Sequence, residues 1–286
     1  MTLCSFYSSF LFPNASKISF PYPDNRTNSI VCWLDCAESS VSKLDELPAD
    51  QRGPLHGVPV SVKECYDVAG TFSTSGMTNF ARNIANADCP LVQMIRNLGG
   101  VPFCKTNVPQ CMFSLQCSNP VYGTSCNPHS KDGNPRECGG SSGGEGVLVG
   151  GGGSILGLGS DIGGSLRSPV AFCGGYSLKP TASRHLSQLG VAAPMDAAPI
   201  GVLVTGGYMT RSAVALEQAW RITWGLKDGL NSQRHDPVII PPVWRQDRYD
   251  QKITIGYFTG IYKLKNKLLG FIRFDIDRRL IYLDCF

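Results

Sequence analysis

The groups best placed to do chemistry are crowded into residues 137–167, ECGGSSGGEGVLVGGGGSILGLGSDIGGSLR, where glycine fills nearly every second place and serines stand between. A serine hydroxyl becomes a nucleophile only when a base takes its proton. Glycine beside it permits positive φ and lets other backbone or a ligand approach closely. Such a run would also suit a flexible linker, and GGGGS at 150–154 has that composition. Val147, Leu148, Val149, Ile155, Leu156 and Leu158 interrupt it, however, and mark short buried elements between tight turns. A phosphate cradle needs G-x-G-x-x-G or G-x-x-x-x-G-K-[ST], and neither occurs. GGSSG and GSSGG both match the G-x-S-x-G nucleophile elbow, but an elbow follows an apolar strand, and residues 131–137, KDGNPRE, form a polar turn.

Strand and helix patterns alternate around this run, which indicates α/β packing. Residues 29–47 read as a short helix. In residues 58–63, Val58, Val60 and Val62 face one side of a strand, with Pro59, Ser61 and Lys63 on the other. A lysine ending such a strand is ordinarily a solvated surface charge. Residues 88–100 read as a helix with Asp88 as N-cap, Pro90 in the first turn, an apolar face of Leu91, Val92, Ile95 and Leu98, and Gly99 as its stop. A strand at 101–104 follows. Residues 212–224 form another helix with a broad apolar face, 236–245 a Pro-rich crossing, and 252–258 a strand. Residues 139–166 are expected to thread the centre as loops and short strands.

Five passages carry a family resemblance: GPLHGVPVSVKE at 53–64, PFCKTNVPQCMFSLQCSNPVYG at 102–123, GGSSGGEG at 139–146, GSDIGGSLRSP at 159–169 and GGYSLKPT at 174–181. Together they resemble the amidase signature family of serine hydrolases, in wording similar to its fatty-acid amide hydrolase branch. The likeness runs from residue 53 to 229 and more thinly to 258. It implies an α/β fold, a mixed β-sheet flanked by helices, incomplete at the C-terminus. The expected division is an N-terminal segment 1–52, a partial amidase signature domain 53–259 and an unmatched tail 260–286, read as truncation, mis-splicing or a short isoform.

The resemblance also implies the chemistry. Ser165, in D-I-G-G-S, maps to the nucleophile, Ser141 to a bridging serine held by a cis Gly140–Ser141 peptide, and Lys63 to the base. Backbone N–H groups of Ile162, Gly163, Gly164 and Ser165 map to the oxyanion hole, and two adjacent glycines let such groups converge without a Cβ in the way. Ser142 is expected to support the site, and Asp161 and Arg167 to brace its loop. Met112 and Phe113, with Ser141, would contact substrate; core packing is the other reading of that pair. Lys63 must be neutral to act, which requires burial without a carboxylate partner. Glu64, the nearest acid in sequence, would point to the opposite face. The four histidines, His56, His129, His185 and His235, stand in no triad context, and serine with lysine is a recognised alternative.

The implied reaction is hydrolysis of a fatty-acid amide, a small lipid molecule, with no metal or organic cofactor. A small amide or a glutaminyl group on tRNA are other amidase substrates, and a catalytically dead fragment is a further reading. PFCKTNVPQCMFS favours the fatty-acid branch over the tRNA-linked substrate. Family members run further, and their later residues build much of the acyl channel, so the isolated chain is expected to be a weak or inactive enzyme. Resemblance admits a homodimer and peripheral contact with an internal membrane from a cytoplasmic location.

Composition agrees with a folded enzyme. The 286 residues are 42% hydrophobic and 17% charged with a net charge of +4, enough for a sizeable core and no signature of disorder. Basic residues do not cluster with aromatics before the last segment, so nucleic acid is not implied. The 12 cysteines include no C-x-x-C pair, and idle thiols in a reducing compartment account for them. No run has the apolar length of a membrane span.

Overall fold

A computed structural model describes residues 27–131, 134–182, 184–185, 203–225, 253–257 and 272–276. The expectations for residues 236–245 and for most of 260–286 lie outside them. The chain divides into two units, Met1–Pro242 and Val243–Phe286.

In the first unit β1 (Ile30–Trp33) leads into α1 (Cys36–Asp45), then β2 (Pro59–Lys63), α2 (Pro90–Asn97) and β3 (Val101–Thr106). A two-residue pair, β4 (Ser118–Asn119) and β5 (Gly123–Thr124), precedes α3 (Gly143–Gly150), β6 (Leu156–Asp161), α4 (Arg167–Cys173), β7 (Tyr176–Ser177), β8 (Thr205–Thr210) and α5 (Ala213–Gly225). Six strands form one sheet in the order β1-β3-β2-β6-β8-β7. The centre, β3-β2-β6, is parallel, while β1, β8 and β7 join antiparallel. The fold is therefore a mixed sheet flanked by helices. Because β1 lies before residue 53, the sheet draws on residues ahead of the first matching passage.

Several local expectations are corrected. Residues 29–47 hold a strand as well as a helix: the apolar run IVCW pairs with β3, and only residues from Cys36 on are helical. Strand β2 is buried along its whole length rather than on one side. It lies between two parallel neighbours, where both faces are covered. The first residue of α2 is Pro90 and its N-cap is Cys89, with no side-chain cap; a proline suits that position because its missing N–H would have no intrahelical partner. Asp88 instead accepts from the Ala69 N–H at 2.9 Å and pairs with Arg96 Nε at 2.8 Å.

The largest correction concerns the glycine run. It contains the helix α3, which is buried along its whole length. Glycine is a poor helix former, so packing decides here. A Cβ at Gly144 would press on the backbone N of Asn107 and lie 2.6 Å from the Ser29 carbonyl oxygen. The helix therefore sits closer to the β1 and β3 connections than any other residue would permit. Leu148 of α3 joins Ile30, Val101 and Phe103 of the sheet and Ala37 and Val41 of α1 in one apolar cluster. The second unit contains β9 (Ile253–Tyr257), within the strand expected at 252–258, paired antiparallel with β10 (Ile272–Ile276).

Candidate active site

Three elements deliver the polar groups. The parallel register Val62↔Leu158 brings the end of β2, with Lys63, alongside the end of β6, with Ser160 and Asp161. Ser141 and Ser142 stand at the entry to α3, and the peptide Gly140–Ser141 is cis. Ser142 ties the two glycine-rich passages together. Its N–H donates to the Ser165 carbonyl at 3.1 Å, and its hydroxyl donates to the Ser160 carbonyl at 3.3 Å.

Lys63 is fully buried. Its amine donates to Ser141 Oγ at 2.7 Å and to Ser160 Oγ at 2.9 Å, with no carboxylate among its hydrogen-bond partners. Desolvation pushes the amine below the usual lysine range. The thiols of Cys65 and Cys117 and the carboxyls of Asp161 and Glu145 oppose that only in part.

Ser141, Ser160 and Ser165 line one cavity of about 310 Å³ together with Ser114, Gly163 and the apolar Met112, Phe113, Leu115, Ile162 and Val204. Met112 is buried at its wall, whereas Phe113 is 85% exposed. No histidine lines it; His185 packs instead against Tyr208 and Trp220. A relay from Ser165 through Ser141 to Lys63 needs each neighbouring pair within hydrogen-bond reach. The Lys63–Ser141 contact is present; among the described residues the Ser165 hydroxyl makes no hydrogen bond, and it shares the cavity with Ser141.

The loop 161–166 is organised by Asp161. Its carboxylate accepts from the Gly164 N–H at 2.8 Å, the Leu166 N–H at 3.0 Å, and both Nε and a terminal nitrogen of Arg167 at 3.0 Å. Burial raises this carboxyl, but the Arg167 and backbone N–H bonds outweigh burial and hold it below the usual range. The Gly164 N–H is thus already engaged, which narrows the expected set of oxyanion donors to Ile162, Gly163 and Ser165. Gly164 adopts φ +127°, and a Cβ at Gly163 or Gly164 would meet nothing within 4 Å. Of the two, Gly163 lines the cavity.

Sequence reasoning missed three buried polar groups here. Ser160 is the second partner of the Lys63 amine, and a serine one place before the motif aspartate gives no pattern that would single it out. Glu145, fully buried in α3, accepts from Ser61 Oγ at 2.6 Å and Thr106 Oγ1 at 2.8 Å. An acid inside the apolar GGEGVLVG text was the available signal. Lys105, also fully buried, donates to Ser73 Oγ at 2.9 Å and to the Phe72 carbonyl, pinning the loop after β2. Glu64 turns away from Lys63 and accepts from the N–H groups of Thr74 and Ser75.

Burial pushes the Glu145 carboxyl up to about 8. The folded state then binds a proton that the unfolded chain, with a glutamate near 4.3, has released. Stability contributed by this group is full below about pH 4 and is lost as pH rises toward 8. Glu145→Gln, which cannot ionise, is expected to flatten the fall in melting temperature between about pH 5 and 8. An undiminished slope in the variant would assign it to another group.

Residues 23–265 match the family model described as Amidase. The chain is 39% identical over 238 residues to "Fatty acid amide hydrolase 1" of Caenorhabditis elegans, covering 82% of this chain and 40% of that protein. It is 39% identical over 234 residues to "Fatty-acid amide hydrolase 1" of Sus scrofa, covering 81% and 38%. A solved structure, "Fatty acid amide hydrolase", superposes with a TM-score of 0.71 at 29% identity, over 86% of this chain and 41% of that one. The chain thus spans roughly two fifths of the length of these relatives. Among the described residues no helix is long and apolar enough to cross a membrane, and no group of His, Cys, Asp and Glu is arranged to hold a metal ion.

Proposed function

The chain belongs to the amidase family, and from that premise we propose that it hydrolyses carboxylic amides through an acyl-serine intermediate. An amide needs an activated nucleophile, a proton for the departing nitrogen and a place for the oxyanion. Ser165 is the nucleophile. Neutral Lys63 takes the proton of Ser141, and Ser141 takes that of Ser165 as its oxygen attacks the amide carbon. The oxyanion is received by the N–H groups of Ile162, Gly163 and Ser165. On collapse the C–N bond breaks, and the proton returns from Lys63 through Ser141 to the leaving nitrogen. Water then hydrolyses the acyl-Ser165 ester, with the same relay as base, and releases the carboxylate.

One observation carries this reading: a fully buried lysine without a carboxylate partner, 2.7 Å from a serine 78 positions away that borders the same cavity as Ser165. A buried amine poised to be neutral is what a base at moderate pH requires. For the substrate we propose a fatty-acid amide. The apolar Met112, Phe113, Leu115 and Val204 around the serines support an apolar acyl group, and so do the names of the two relatives. The test is incubation with a long-chain primary amide and with acetamide, with free acid and ammonia both quantified. Slow release from the long chain, still well above that from acetamide, and none with Ser165→Ala, is expected. Equal release from both substrates would refute the acyl preference, and no release from folded protein would refute the activity.

A further inference from the structure

Lys63 has two hydroxyl partners, and the relay uses only one. We propose that Ser160 is a positioning residue: its oxygen accepts one proton of the Lys63 amine and thereby turns the amine's lone pair onto the Ser141 hydroxyl. This rests on the reading of Lys63 as the base.

A neutral primary amine has two N–H donors and one lone pair. If the lone pair is to accept from Ser141, at 2.7 Å, an N–H must find an acceptor elsewhere, because an unpaired buried donor is costly. Ser160 Oγ, at 2.9 Å, is the other hydrogen-bond partner of that nitrogen. The Ser160 backbone is fixed in β6 between the Ser142 hydroxyl, 3.3 Å from its carbonyl, and the ladder partner Gly206. A rigid strand thus holds the acceptor. The charged and titratable groups that face Lys63 are Cys65 beyond the end of β2, Cys117 before β4, Glu145 of α3 and Asp161 of β6; none of these is a hydrogen-bond partner of the amine.

The experiment compares the full chain with Ser160→Ala, Ser160→Thr and Ser160→Cys. The last keeps the volume but accepts hydrogen bonds weakly, and it serves if the alanine variant does not fold. Two readouts are taken across pH: the titration of Lys63 by NMR with ¹⁵N-labelled lysine side chains, and the rate of fluorophosphonate labelling of Ser165. A hydroxyl acceptor favours the ammonium over the amine, so its loss lowers the pKa of Lys63. The expected result for Ser160→Ala is a Lys63 titration below that of the wild type together with a plateau labelling rate reduced about 10- to 100-fold, the effect of losing one hydrogen bond to a charged group. Ser160→Thr restores most of the rate. A merely structural role would loosen the site, admit water and move the titration up. An unchanged or raised Lys63 titration, or an unchanged plateau rate, overturns the proposal. If the wild-type chain takes no label, the nucleophile assignment fails, and the titration still decides whether Ser160 acts on the amine.

Discussion

Lys63→Met is expected to slow acylation of Ser165 by about 10²- to 10⁴-fold, the contribution of a positioned general base, while leaving the fold at least as stable. Those two outcomes are tied to one fact. The amine lies fully buried with only hydroxyls against it, so it carries a desolvation cost that a methionine of similar length would not. In the wild type the same cost makes the rate rise with pH and level off below the ordinary lysine value of about 10.4, since desolvation lowers the pKa of Lys63. Protein stability follows the same sign: the unfolded chain binds the proton more readily, so this group's penalty shrinks as pH rises toward that value. Labelling time courses at several pH values, beside thermal melts, check both. Loss of labelling with an intact melt is the expected pattern. Unaltered labelling in a folded variant would remove Lys63 from the mechanism.

Asp161→Ala is expected to cost about 2–6 kcal/mol of folding stability. The estimate comes from the orphaned N–H groups of Gly164 and Leu166, at about 1–3 kcal/mol each. The Arg167 pair adds little, because that side chain is 53% exposed and solvent screens it. The chemistry should suffer too: the loop that presents the Ile162, Gly163 and Ser165 N–H groups would lose its internal brace. In the wild type the Asp161 carboxyl is held below the usual range, so its stabilisation is present above about pH 3.9 and fades as pH falls through its folded value. Urea unfolding at neutral and acid pH measures both effects. A variant as stable as the wild type at neutral pH, or a difference that persists undiminished in strong acid, would contradict this account of the loop.

How much of this was legible in the sequence varies with how local the cause is. The strand ending at Lys63 and the helix over Pro90–Asn97 follow from alternation and from a three-to-four-residue apolar repeat, both properties of short windows. The helix at Gly143–Gly150 did not, since eight residues with four glycines have poor helix propensity and are held by contacts to Asn107 and Ser29 far along the chain. Strand β1 was hidden for the same reason: four residues gain strand character only by pairing with β3. At the site, the residue types and the family likeness named Lys63, Ser141, Ser165 and Asp161. They could not reveal that Asp161 already takes the Gly164 N–H, or that Ser160 shares the Lys63 amine. Those facts depend on where a carboxylate and a hydroxyl point, which only the packed sheet decides.

The central claim is that Ser165 is the nucleophile of a relay that runs through Ser141 to Lys63. Peptide mass spectrometry after exposure to a fluorophosphonate tests it most directly, on the wild type and on Ser165→Ala, Ser141→Ala and Lys63→Met. The account predicts a single adduct on the peptide containing Ser165, absent in Ser165→Ala and much slower to form in the other two. An adduct on Ser141, or no adduct on folded wild-type protein, would contradict it.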